Sequence, residues 1–221
     1  MIECAEVERK YTMNMDRRLF LKNASAFTAT GVLLSACAKV EKRTSTATKG
    51  KSLVAVKKDK VLVVYFSRSG NTRHVAETFA RACGGARLVE LRAAKPYAAE
   101  YNACCEEAKP ECRAGTLRPI RKIPDLDVAA YDAVIVGTPN WWGTMAPPVR
   151  TWVSENAVAL KGKTLCLFQT HGGGGMQNCA RDFAALLPDA NVLPAQAYLG
   201  ATIKARLGLK SFVTDRFTIE G

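Results

Sequence analysis

Only two histidines occur in the 221 residues, His74 and His171. Neither lies near the clustered Cys104, Cys105 and Cys112, so no Cys/His spacing of a metal site is present and no metal is expected. The hydroxyl-rich turn Ser67 to Thr72 has neither the Gly-Lys-Ser/Thr ending of a Walker loop nor the Gly-x-Gly-x-x-Gly of dinucleotide sites. Lys plus Arg exceed Asp plus Glu by 32 to 20, a balance that suits an acidic partner or an anionic membrane surface. Without a basic-aromatic motif, nucleic acid is not the expected partner. The apolar run Ala24 to Ala36 is too short to span a bilayer as a mature helix. What is present is 48% hydrophobic and 24% charged sequence, enough for one globular domain and not for a second full one.

The N-terminal segment stands apart from the fold. "MDRRLFLK", Met15 to Lys22, resembles a twin-arginine export signal, with Asp16 where Ser or Thr is usual. The apolar run that follows ends in Leu34-Ser35-Ala36-Cys37, which resembles the lipobox of bacterial lipoproteins, where the cysteine is lipidated and becomes the new N-terminus. Residues 1–37 are therefore expected to be an export signal, and the protein a membrane-anchored lipoprotein on the periplasmic side of the cell envelope. The competing reading is an uncleaved amphipathic helix flanked by Arg17, Arg18 and Lys22. Met1 to Asn14 carries no pattern, so translation beginning at Met13 or Met15 is a further expectation. Residues 38–59, rich in Lys, Thr and Ser, read as a flexible basic tether, or as a segment lying along anionic headgroups.

From Val61 the pattern changes to short continuous apolar runs alternating with amphipathic stretches, the mark of parallel strands buried on both faces. Five runs qualify: "VLVVYF" (61–66), "ARLVEL" (86–91), "DAVIVGT" (132–138), "TLCLFQT" (164–170) and "ANVLPAQAYL" (190–199). Helical spacing covers 71–83, 146–156 and 175–187. A doubly wound α/β sheet over residues 60–221 is predicted, with ligands bound beyond the carboxyl ends of the strands.

Three strand ends carry unusual chemistry. After the first, Ser67, Ser69 and Thr72 offer hydroxyls, Gly70 permits close backbone approach, and a helix starting near Asn71 aims free N–H groups at the same point. Such a turn suits a phosphate monoester; a plain helix cap is the alternative. After the third, "TPNWWGTM" sets two adjacent tryptophans beside Pro139, Asn140 and Gly143, suggesting a planar ligand, with one indole partly filling the core. After the fourth, "THGGGG" leaves backbone amides free near His171.

Together these loops resemble the flavodoxin-like family: "YFSRSGNT" its phosphate loop, "GTPNWWGTM" and "THGGGG" its two isoalloxazine loops. The resemblance implies a flavodoxin-like three-layer sheet of five parallel strands, order 2-1-3-4-5, with FMN at the switch point. It assigns the FMN phosphate to Ser67, Ser69, Gly70, Asn71 and Thr72. The flavin would lie between Pro139, Asn140, Trp141, Trp142 and Gly143 on one side and Thr170, His171, Gly172 and Gly173 on the other. "KPYAAEYNACCEEAKPE" (95–111) is similar to a Tyr-rich stretch that lies near the flavin rim in a subgroup of the family. The last stretch, 200–221, lacks the amphipathic ending such a fold requires, so either the final helix is irregular or the end of the gene is altered.

The expected function is FMN-dependent electron transfer to a redox partner protein or small-molecule acceptor; an FMN-dependent NAD(P)H:quinone or small-acceptor oxidoreductase is the alternative. His171 is the one candidate catalytic group, a proton donor beside the flavin, unless its ring only shapes the loop. His74 is expected on a solvated helix face. Cys83 and Cys166 read as core residues, and Cys105 and Cys112, two helical turns apart, as too distant to bridge.

Overall fold

The computed structural model describes residues 53–203 and 209–221. The segments expected to be an export signal and lipobox lie outside the described residues. The elements run β1 (Val54–Lys57), β2 (Val61–Tyr65), α1 (Asn71–Ala82), β3 (Arg87–Glu90), α2 (Tyr101–Ala114), β4 (Ala133–Trp141), β5 (Thr144–Met145) and α3 (Pro147–Glu155). They continue with α4 (Ala157–Leu160), β6 (Thr164–His171), α5 (Cys179–Ala185), β7 (Asn191–Leu199), α6 (Gly200–Ile203), α7 (Leu209–Thr214) and β8 (Phe217–Glu220).

The main sheet has the order β3-β2-β4-β6-β7, all parallel, which is 2-1-3-4-5 in the numbering of the five apolar runs. Its side chains sort by strand parity, because successive residues of a strand point to opposite faces. Leu62, Val64, Val134, Val136, Leu165 and Leu167 pack on one face with Val149 and Trp152 of α3 and Phe183 of α5. Val61, Val63, Ala133, Ile135, Cys166 and Phe168 pack on the other with Val75 and Phe79 of α1 and Phe212 of α7. Two helical layers therefore enclose one sheet, and β2, central and wholly buried, needs apolar residues at every position.

Gly137 fits this core by having no side chain: a Cβ there would lie 2.3 Å from the Phe168 ring. Phe168 in turn packs edge-on to Phe79, which stacks on Phe212 at 4.5 Å. At the sheet edge, β7 is only partly buried, unlike the expectation of burial on both faces. Its register against β6 shifts between Cys166 and Phe168, opposite Pro194. A proline has no N–H for the ladder, so an edge bulge is where it is tolerated.

Two further corrections concern the ends. Val54–Lys57, read as the close of a flexible tether, form β1 and pair in parallel with β8, so the last residues make a strand after two short helices. The helix expected over 175–187 shortens to α5, since Gly175 to Asn178 form a turn with Gln177 at φ +44°. The 95–111 insert does contain a helix, α2, begun by the Glu100 carboxylate, which accepts from the N–H groups of Asn102 and Ala103. Among the described residues no helix is long and apolar enough to cross a membrane.

Candidate functional site

The ends of β2, β4 and β6 meet at the carboxyl edge of the sheet, where strand order reverses between β2 and its neighbours. From β2 the chain turns through Ser67 to Gly70 into α1. Gly70 sits at the N-cap with φ +89°, a conformation costly to any side chain, and no side chain caps the helix. Ser67 Oγ accepts from the Gly70 N–H at 3.1 Å, which fixes the turn. The first backbone bond of α1 runs from His74 N–H to Gly70 C=O, so the preceding N–H groups have no partner within the helix. They point, with the positive end of the dipole, past exposed Ser69. Thr72 behaves differently from its neighbours: its hydroxyl is buried and hydrogen-bonded to that of Thr170 at 2.9 Å, tying the first loop to the third.

The Trp-Trp loop is a hairpin. Asn140 pairs with Met145 and Trp141 with Thr144 across β4 and β5, leaving Trp142 and Gly143 as the two loop residues. Both have positive φ, +52° and +86°, as a type I′ turn demands. Glycine takes this readily; a tryptophan does so at a cost of about 1–3 kcal/mol. The strain holds an indole out at 47% exposure, with Nε1–H donating to the Cys105 carbonyl and Lys109 Nζ 4.9 Å from the ring. Trp141 does the opposite and packs on the core edge-on to Phe66 and Tyr97. One indole packs partly buried against the core and its neighbour is displayed.

Asn140 joins the second loop to the third. Its Nδ2 donates to the Gly175 carbonyl at 2.8 Å and to Gln177 Oε1, while its Oδ1 accepts from the Gly143 N–H. Gln169, fully buried on β6, also donates to the Gly175 carbonyl, and its Oε1 has no partner among the described residues. Gly172 and Gly173 face open space, where an added Cβ would meet nothing within 4 Å. Asn71 reaches across to the same edge: a Cβ on Gly200 would lie 2.7 Å from its Nδ2 and 3.5 Å from the His171 carbonyl.

His171 ends β6 half-buried, its Nδ1 accepting from the Gly173 N–H at 3.1 Å. Burial lowers its pKa below the ordinary 6.5, so the neutral ring is favoured, in keeping with an acceptor nitrogen. His74 is not on a fully solvated face; it is half-buried with Nε2 out of contact with water. The described cysteines are all free, and burial pushes the thiols of Cys83, Cys112, Cys166 and Cys179 up to about 12, keeping them protonated.

The structure thus brings every predicted loop residue to one edge, with Thr72 and Thr170 paired beneath it. Gln169, Gln177 and Gly200 were missed by sequence reasoning. Gln169 alone left a trace, as the one amide in β6, directly after the apolar run Leu165 to Phe168.

A family model described as flavodoxin matches residues 60–215. The chain belongs to the flavodoxin family. Among solved structures, a putative flavoprotein of Bacteroides eggerthii is 27% identical, with TM-score 0.54, covering 69% of this chain and 98% of its own. One from Bacteroides uniformis shares 24% identity at TM-score 0.57, covering 71% and 98%. A Lactobacillus acidophilus flavoprotein, solved in complex with FMN, shares 21% at TM-score 0.56, covering 66% and 97%. At such identities the last two show the common fold. The flavodoxin match stops short of β1 and of β8, and begins at the residue before β2.

Proposed function

We propose that this chain is an exported, lipid-anchored flavodoxin-type electron carrier, passing electrons between a redox partner and an acceptor through FMN. FMN is the cofactor, and it supplies reversible uptake of electrons when bound. The residues fit it. The uncapped N-terminus of α1 behind Gly70, with Ser67 and Ser69, suits a phosphate dianion. Trp142 supplies an exposed aromatic surface, and Gly172 and Gly173 leave open space on the facing loop. The observation that carries this reading is the convergence of three strand-end loops, tied by the Thr72–Thr170 and Asn140–Gly175 hydrogen bonds.

Within the site, His171 has a defined role. Its Nδ1 acceptor bond shapes the glycine loop, and the neutral ring avoids adding a charge there. Export and anchoring rest on Arg17, Arg18 and Cys37. The twin-arginine route carries folded proteins, which suits loading of a cofactor before export.

Carrier and oxidoreductase are separated by adding NADH or NADPH anaerobically to the purified, FMN-loaded chain. The visible absorbance is expected to persist with either nucleotide and to bleach with dithionite. Rapid bleaching by a nicotinamide alone would overturn the carrier reading in favour of an NAD(P)H-dependent enzyme.

A further inference from the structure

A cleft of about 440 Å³ opens beside the candidate cofactor site, over the ends of β2 and β3. Its lining joins three aromatic rings to three arginines. Phe66, Tyr97 and Trp141 form the apolar wall, their rings mutually edge-on with centroids 4.9 to 6.5 Å apart. That wall is rigidly held: the Arg118 guanidinium lies 3.7 Å from the Tyr97 ring centre and is itself neutralised by Glu107 and Glu111, while Tyr97 donates its hydroxyl proton to Glu111.

Charge on the remaining lining is unbalanced. Arg68, Arg92 and Arg121 line the cleft against a single carboxylate, Glu90. Glu90 is further shared between Arg92 and Arg73, so it cannot neutralise the set. Arg68 donates to the Ala99 carbonyl, lies over the Tyr101 ring and is near enough to Glu100 to favour its ionised form. Arg121 makes no ion pair among the described residues, and its backbone N–H donates to the Arg92 carbonyl, which holds the two arginine backbones together. A volume in the range of small-molecule pockets, aromatic walls and three guanidinium groups against one lining carboxylate are complementary to a ring bearing a carboxylate.

We propose that this cleft binds a small planar aromatic carboxylate, stacked within the Phe66, Tyr97 and Trp141 wall with its carboxylate toward Arg121 and Arg92. Binding itself follows from the cleft and is independent of the cofactor.

The probes are 2-naphthoate and its neutral isostere 2-naphthamide, titrated calorimetrically into the purified full chain with and without saturating FMN. Naphthoate is expected to bind at least about tenfold more tightly than naphthamide. Arg121→Gln should erase most of that difference while leaving naphthamide binding unchanged, and Arg121→Lys should restore part of it. Because Arg121 is exposed, both variants should fold, which circular dichroism checks directly. Equal affinity for the two probes would overturn the proposal, as would loss of naphthoate binding on FMN saturation, which would make the cleft part of the cofactor site. FMN uptake is followed separately by its visible spectrum, so failure of the cofactor reading leaves the calorimetric result interpretable.

Discussion

Gly137 and Phe168 show how one missing methyl group shapes the centre of the molecule. The Phe168 ring occupies the space a Cβ at 137 would need, and Phe79 and Phe212 prevent the ring from moving away. Gly137→Ala should destabilise the protein by about 1–3 kcal/mol, the usual cost of overpacking. Chemical denaturation checks this, and the alanine should cost less in a Phe168→Leu background, where the ring is gone. His171 supplies a second test at this scale. Its folded pKa is depressed, so the unfolded chain takes up a proton first as pH falls through the ordinary value of 6.5. The contribution of His171 to stability is full above that value and lost on acidification. Unfolding free energy measured from pH 7.5 to pH 5 should therefore fall less in His171→Gln than in the wild type; identical slopes would mean that burial does not matter at this ring. Neither feature could be read from the sequence in full. A glycine inside "AVIVGT" marks a close approach without naming Phe168 as the partner, and "THGGGG" places a histidine without its hydrogen bond.

At the scale of elements, strands buried on both faces announce themselves as continuous apolar runs, and so β2, β4 and β6 were legible with their order and their loops. Elements at the margins were not. β1 is four residues, Val54–Lys57, embedded in lysine- and threonine-rich sequence, and its partner β8 is some 160 residues away. Only Val56 is buried there, so no run of apolar residues exists to be seen. The amide-rich turn before α5 was hidden for another reason: Gln177, at positive φ, packs its amide against Gly143 and Gly174 and accepts from Asn140, contacts that no local pattern announces. If the β1–β8 pair is part of the folded unit, Val56→Asp should place a carboxylate in an apolar site and cost more than about 2 kcal/mol in a urea titration. A Val56→Asp chain as stable as the wild type would detach β1 from the fold.

At the scale of the whole molecule, the formal net charge of +12 sets the chain apart from an acidic carrier, and several of those charges lie near the candidate site. Arg68 and Arg73 flank the phosphate turn, although Arg73 is paired with Glu90. The N-terminal region carries the export proposal, which cell fractionation tests: Arg17→Lys with Arg18→Lys should retain the protein in the cytoplasm, and Cys37→Ala should release it from the membrane after export. A wild-type protein found in the cytoplasm with residues 1–37 intact would contradict that proposal. The central claim is that the turn from Ser67 to Thr72 holds the phosphate of FMN. It is tested most directly by titrating the purified, cofactor-free chain with FMN and with riboflavin, which differ only in that group. FMN should bind about 100-fold or more tightly, a difference of about 2.7 kcal/mol, and the gap should narrow with added inorganic phosphate. Equal affinity for the two flavins would contradict it.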